Sequence, residues 1–434
     1  MLDKIFARIE KFVPEKWRWI LKHEGVRRYG ANTGWMFGGQ MFSLLVSFFI
    51  GAWIARYLGP ENYGVLSYAL SFAGLFAFIA SLGIDGVLGR EIVKFPEKRD
   101  DLLGTSFVLK IIGGLTAFAL VCVAAILFEN NFLIRILIIL FGLSFILQAI
   151  GVISIFFQSK VEAKQTIKAQ FFAMIISSLL KIFLILTHLG VIWLMLIYVL
   201  DAVWSGLGLL FVYRQAGLKI NNWKFSANLA ISILKDSWPL MLSGAATFIY
   251  MKIDQVMIGQ MLDNESVGLY AVAIKLSEVW YFIPGIICAS LFPALINARQ
   301  LDIKKYYQRL KNLYLFMFFL ALAISILVTI IAKPLIIILF GSAYISSIPI
   351  LQIYIWSSIG IFVGAAVSQY LIAENMMKTV FVTSILGMLA NVILNFILIP
   401  KTGLLGAALA SLISYIATPF LILLFVGLLK NRKL

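Results

Sequence analysis

Seven ionisable side chains sit deep inside apolar stretches. Lys252 and Asp254 interrupt "MKIDQVMIG" (251–259). Lys275 and Glu278 follow in the next run, Lys181 and Asp201 lie in two earlier ones, and Lys110 in a third. Arg56 stands at the end of the first run. An ionised side chain at the centre of a bilayer costs at least about 2.5–3.5 kcal/mol on insertion scales, so such residues commonly face a wet cavity or a partner. The spacing suggests which ones meet. Asp254 lies ten residues before Asn264 and Lys275 eleven after it. With a rise of about 1.5 Å per residue, a turn at "DNES" brings both to nearly the same depth, where they could pair. Glu278, at i+3 from Lys275, shares its helical face, whereas Lys252 points away from Asp254. Lys181 and Asp201 could meet across the turn at His188. Lys110 can snorkel to the headgroups, and Arg56 can reach the outer interface. Asn391 and Asn395, one turn apart, suit hydrogen bonding between helices. The chemistry of the set is charge binding, with anions held by the lysines and Arg56. Asp254, Glu278 and Asp201 could hold those lysines in place, or bind the proton or Na⁺ that drives a cycle.

Other chemistries lack their residues. No G-x-x-x-x-G-K-[ST] phosphate loop occurs. The two histidines, His23 and His188, stand alone, and the two cysteines, Cys122 and Cys288, have neither disulfide nor metal spacing. No metal or organic cofactor is expected.

The elements that must position these charges are membrane helices. Of 434 residues, 62% are hydrophobic and 13% charged, and the mean hydropathy is +0.98. Soluble domains carry about a quarter charged residues. The composition therefore predicts an all-α polytopic membrane protein. About 20 apolar residues cross the hydrocarbon. Twelve runs qualify, near 31–57, 63–88, 103–127, 133–157, 167–187, 190–213, 236–261, 266–296, 312–332, 347–373, 379–399 and 404–429. With the N-terminus in the cytoplasm, 28 of the 36 Lys and Arg residues fall on that side, and only Arg56, Arg135, Lys333 and Lys401 at the outer edge. This asymmetry places both termini in the cytoplasm. It also accounts for the net charge of +16 without nucleic acid. Residues 1–30 read as a basic amphipathic segment on the membrane surface. The outer connections are turns, which leaves no room for an external catalytic domain.

The chain repeats itself. "YLGPENYGVLSYA" (57–69) aligns with "MLDNESVGLYAVA" (261–273): Leu58 falls on Leu262, Glu61 on Glu265, Gly64 on Gly268 and Ala69 on Ala273. Each stretch joins the first two spans of a six-span half. The expected architecture is thus two pseudo-symmetric six-helix lobes, 31–213 and 236–434, joined by a cytoplasmic linker at 214–235, around a central cavity. At the repeat offset Asp254 matches Ile50 and Lys275 matches Ser71. The charges are therefore not demanded by the repeat, which favours function.

"ARYLGPENYGVLSYALSFAGLFAFIASLGIDGVLGREI" (55–92), "KIDQVMIGQMLDNESVGLYAVAIKLSEV" (252–279) and "IILFGSAYISSIPILQI" (337–353) resemble the polysaccharide-transporter branch of the multidrug/oligosaccharidyl-lipid/polysaccharide exporter superfamily, which includes oligosaccharide flippases of the Wzx type. The resemblance implies a flippase rather than an enzyme. It implies a multi-pass protein of a bacterial inner (cytoplasmic) membrane, moving a polyprenyl-diphosphate-linked oligosaccharide, such as an O-antigen repeat unit, to the outer leaflet by alternating access. Lys252, Lys275, Lys181, Arg56 and Lys110 would then meet the diphosphate. The implied partners are membrane lipids, a polysaccharide polymerase and a chain-length regulator. A multidrug extruder of the same superfamily commonly takes cations and would want a net-acidic cavity, against the lysines here. Peptidoglycan-precursor flippases commonly have fourteen spans. A membrane glycosyltransferase or polymerase would want clustered carboxylates, which Glu61, Asp100 and Asp101 do not form.

Overall fold

Long apolar runs with few internal prolines make helices whose backbone groups are satisfied within the segment, which a bilayer demands. A computed structural model describes residues 24–431, Asn375 excepted; side chains are described from Asn32 to Ile422 save a few positions, Pro293 and Lys378 among them. Residues 1–23, most of the expected surface helix, lie outside the described residues. The helices are α1 (Glu24–Gly74), α2 (Ala77–Ser81), α3 (Ile84–Lys94), α4 (Arg99–Phe128), α5 (Phe132–Gly142), α6 (Ser144–Leu147), α7 (Val152–Ser159), α8 (Ala163–Leu186) and α9 (Val191–Gln215). There follow α10 (Ala227–Met261), α11 (Asn264–Glu278), α12 (Phe282–Leu301), α13 (Ile303–Leu339), α14 (Ser347–Tyr354), α15 (Ser357–Ala373), α16 (Met377–Thr402) and α17 (Leu404–Asn431). No strand occurs among the described residues.

Ten helical stretches among the described residues are long and apolar enough to cross a membrane, against the twelve expected. The difference has two sources. The first two expected spans meet inside α1, which breaks only at Gly59, where φ is 71° ahead of Pro60. Helix α10 falls outside the ten because Lys252, Asp254 and Gln255 dilute its apolar run. Large apolar side chains crowd the outside of the helices: Phe128, Phe132, Phe211, Ile330 and Phe396 are all exposed. That is the surface expected of a multi-pass membrane protein, whose solvent on these faces is lipid.

Four of the expected spans are not single helices, and the breaks repeat. The second span stops at Gly74, resumes in α2, and turns again at Leu82 and Gly83, both left-handed. The eighth breaks between α11 and α12. There Pro284 cannot donate to the carbonyl of Trp280 and its ring would clash with it. The irregular turns at Leu75 and Val279 lie 204 residues apart, the repeat offset. A 3₁₀ turn at Gln148–Gly151 interrupts the fourth span, and a turn near Ile355 interrupts the tenth, at the same offset. Discontinuous helices in repeated positions are a device for lining polar sites within a membrane.

The chain forms two compact units. One comprises the chain up to Ser47, Ile79–Val123 and Ile139–Met241; the other comprises Phe48–Phe78, Ala124–Ile138 and Leu242 onward. Two stretches of the first half of the sequence therefore belong to the second unit. In the first unit, Ile84, Leu88, Leu103, Phe156, Phe157 and Tyr213 build a buried core. The segment after α9 docks there. Trp223 donates its indole N–H to Tyr213 Oη at 3.0 Å, and Ser226 N–H donates to Thr105 Oγ1 at 3.0 Å. In the second unit the repeat meets itself. A Cβ on Gly64 would overlap the carbonyl oxygen of Asn264, and one on Gly268 that of Pro60. The repeat-equivalent glycines are what let the two hairpins touch backbone to backbone, as small residues do between membrane helices.

Candidate functional site

Helices α10 and α11, joined by the Asp263-capped turn, carry Lys252, Asp254, Lys275 and Glu278 of the second unit. Asp263 accepts from Ser266 N–H at 2.7 Å, which fixes the entry of α11. From this hairpin Lys252, Gln255, Lys275 and Glu278 line a cavity of about 210 Å³, with Tyr63 and Ser71 from α1 opposite. Ser71 donates to Gln255 Oε1 at 2.8 Å. The Lys275 ammonium lies against Gly51, where a Cβ would collide with it. Ser71 and Lys275 are equivalent in the repeat, so its two copies converge on one cavity and only one brings a charge. Glu278 Oε1 is buried and has no hydrogen-bond partner among the described residues. Two ammonium groups and one carboxylate leave a single positive charge in excess, in a place where charge is costly unless water or a ligand enters.

Asp254 does not pair with Lys275, contrary to expectation. Its carboxylate is 2% exposed and lies outside the lining of this cavity. Tyr270 Oη donates to Oδ2 at 2.9 Å, Ser411 Oγ donates to the same oxygen, and Asn395 Nδ2 donates to Oδ1 at 2.7 Å. Asn395 also reaches Asn391 Oδ1 at 3.1 Å, and Asn391 Nδ2 reaches Ser414 Oγ at 3.3 Å. The reason is rotation about the helix axis. Depth matched Asp254 to Lys275, but two residues along α10 turn Asp254 about 200° away from the face that Lys252 shares with the cavity. Four helices thus surround one carboxylate with hydroxyls and amides. Asn395 Oδ1 has no partner among the described residues. A buried carboxylate in such a cage is a group that can take up a proton. Of its members, the two asparagines were visible in their i, i+4 spacing. Tyr270, Ser411 and Ser414 were not singled out, although the serines sit one turn apart on α17.

The first unit holds a larger cavity of about 740 Å³. Lys110 sits at its wall but does not snorkel; it is 7% exposed and makes an ion pair with Asp85. Asp85 stands between two glycines in "GIDG" on α3, and that was its only signal. Pairing inside the unit replaces the trip to the headgroups because Asp85 faces Lys110 across the cavity wall. Lys181 and Asp201 meet at 2.8 Å across the α8–α9 hairpin, with the ammonium 4.4 Å from the Tyr198 ring centroid. Neither lines either cavity. Arg56 is exposed in the second unit and donates to the carbonyl of Ile338 at 3.3 Å.

Residues 29–299 match a family described as polysaccharide biosynthesis protein. A probable flippase, AglR, of Haloferax volcanii is 27% identical over 264 residues, 55% of this chain; the chain spans half the length of that relative. The inward-facing conformation of a multidrug resistance MATE family transporter of the MOP superfamily superposes with a TM-score of 0.77 at 16% identity, over 90% of this chain and 95% of that one. The lipid II flippase MurJ, in an inward closed conformation, superposes with a TM-score of 0.74 at 17% identity, over 90% of this chain and 86% of that one.

Proposed function

Because the chain belongs to the polysaccharide biosynthesis protein family, we propose that it is a flippase, a transporter and not an enzyme. It carries a polyprenyl-diphosphate-linked oligosaccharide, the repeat unit of an O-antigen or other surface polysaccharide, from the inner to the outer leaflet of the cytoplasmic membrane by alternating access. The probable flippase among its relatives supports this reading. The observation that carries it is the cavity where Lys252 and Lys275 outnumber Glu278. A diphosphate leaving the headgroup region loses its hydration and counterions, and two ammonium groups supply replacements by charge-assisted hydrogen bonds. Lys110, Lys181 and Arg56 serve the fold, each held by a partner of its own. Asp254, inside its cage of hydroxyls and amides, takes the H⁺ or Na⁺ whose gradient drives the cycle. Twelve spans, both termini in the cytoplasm and a two-lobe exchange between 31–213 and 236–434 complete the reading. Its partners are a polymerase and a chain-length regulator that consume the exported unit.

The test is reconstitution. Purified protein in liposomes, loaded on one face with a labelled lipid-linked glycan, exposes it on the other face under a pH or Na⁺ gradient. Lys252→Ala and Lys275→Ala slow this, and the Arg variants slow it less because the charge persists. A glycan that stays inaccessible under every gradient, while a cationic dye is pumped, replaces this reading with the multidrug extruder.

A further inference from the structure

The cavity of the first unit is built for something other than a phosphate. Its walls come from the interrupted second and fourth spans and from α4, α8 and α9. At about 740 Å³ it falls within the range of about 300–1,000 Å³ typical of small-molecule sites. Its charge is already cancelled. Lys110 is paired with Asp85, and Arg90, 58% exposed, is engaged by Asp236 and Glu91. What remains is neutral and hydrogen-bonding: Gln148, Gln158, Gln170, Thr166 and Ser205. Thr166 is 3% exposed, yet its hydroxyl has no partner among the described residues. Among the described residues, no aromatic ring lines the cavity.

The residues arrive at helical spacing, so the polar face is continuous. Gln148, Gly151, Ser154 and Gln158 share one side of the fourth span, and Thr166 and Gln170 one side of α8. At Gly151 a Cβ would meet nothing within 4 Å, so the wall there is open space.

Each candidate occupant makes a different demand. A lipid tail wants no amides. A diphosphate wants cations that are not already paired. A cationic drug wants an unpaired carboxylate or aromatic faces. Amide side chains offer both a donor and an acceptor, and hydroxyls do the same. That is the complement of a sugar, whose vicinal hydroxyls also give and accept. We propose that this cavity is the glycan subsite, and that it selects an uncharged, polyhydroxylated saccharide. The inference rests on the flippase reading and adds to it the chemistry of the sugar. An acidic sugar would have to enter a site whose cations are already neutralised, and is disfavoured.

The test uses the full chain in lipid nanodiscs and three probes: polyprenyl diphosphate carrying a neutral disaccharide, the same lipid carrying a uronic-acid disaccharide, and the bare polyprenyl diphosphate. The wild type binds the neutral glycolipid at least about tenfold more tightly than either other probe, the effect of a few added hydrogen bonds. Gly151→Phe, which fills the open wall, and Gln148→Leu with Gln170→Leu, which keep volume and remove the amides, bring that affinity down to that of the bare lipid. Neither changes binding of the bare lipid. Equal binding of the neutral and bare probes by the wild type, preference for the uronic probe, or unchanged affinity in both variants overturns the subsite. The wild-type comparison decides even where a variant fails to fold. If the wild type binds none of the three, the flippase reading itself falls, a distinct result from loss of glycan preference alone.

Discussion

Replacing Asp254 separates a structural carboxylate from one that does work. Three donors converge on it, and all are buried. Asp254→Ala leaves the hydroxyls of Tyr270 and Ser411 and the amide of Asn395 without their acceptor. Tyr270 and Ser411, 3.2 Å apart, can then bond each other, so two donors are orphaned; at about 1–3 kcal/mol each the loss is about 2 kcal/mol or more, a large fraction of the stability of a marginally stable protein. Asp254→Asn is different. The introduced amide keeps one oxygen, which can stay with Tyr270 and Ser411. Its new N–H₂ then faces Asn395, whose own amide can turn and accept through Oδ1, the atom now without a partner among the described residues. The turn sacrifices the 3.1 Å bond to Asn391 Oδ1, so the net cost is about one hydrogen bond, about 1 kcal/mol. The Asn variant therefore folds and enters the membrane, but its site carries no negative charge and takes up neither H⁺ nor Na⁺. Thermal unfolding in detergent ranks the stabilities, and flux in proteoliposomes with and without an imposed gradient reads the coupling. The expected result is a nearly normal melt for Asp254→Asn, a large loss for Asp254→Ala, and gradient-independent residual flux for the Asn variant. An Asn variant as unstable as the Ala variant refutes the amide turn. One whose flux responds to the gradient like the wild type refutes the coupling role.

Three further outcomes follow from packing and charge. Gly268→Ala places a methyl group on the backbone oxygen of Pro60, which cannot move aside, and lowers stability by about 1–3 kcal/mol, as does Gly64→Ala against Asn264; melting curves check both. Asp85→Ala strands the buried Lys110 ammonium and costs about 1–3 kcal/mol, less than for a fully buried pair because Asp85 is 57% exposed. The double change Asp85→Leu with Lys110→Leu recovers most of that in the same melt. In a background without Cys122 and Cys288, a membrane-impermeant thiol reagent on intact cells labels a cysteine at Asn264 and not one at Lys305; the reverse pattern inverts the proposed orientation.

The sequence by itself determined the solvent, the element type and the location of the costly charges. Apolar runs of this length admit one backbone solution in a bilayer, and the repeat around Gly64 and Gly268 fixed where the two halves correspond. Distance along a helix fixed depth, which is why Lys181 and Asp201 could be matched across their turn from residue numbers alone. Which way a side chain points was settled by rotation and neighbours. Asp254 and Lys275 share a depth but lie on different faces, and the partners of Asp254 come from α11, α16 and α17, up to 157 residues away in the chain. No local pattern ties Ser411 to Asp254. Lys110 found Asp85 for the same reason: a buried ammonium takes the nearest carboxylate in space, and only the packed helices say which one that is. The broken spans sit between the two cases. Pro284 announced one interruption, but the turns at Leu82 and Gly83 arise where α2 and α3 must pass the backbone of α10, a contact between segments more than 150 residues apart. Chain-local physics set what each helix is; long-range packing decided what each charge touches.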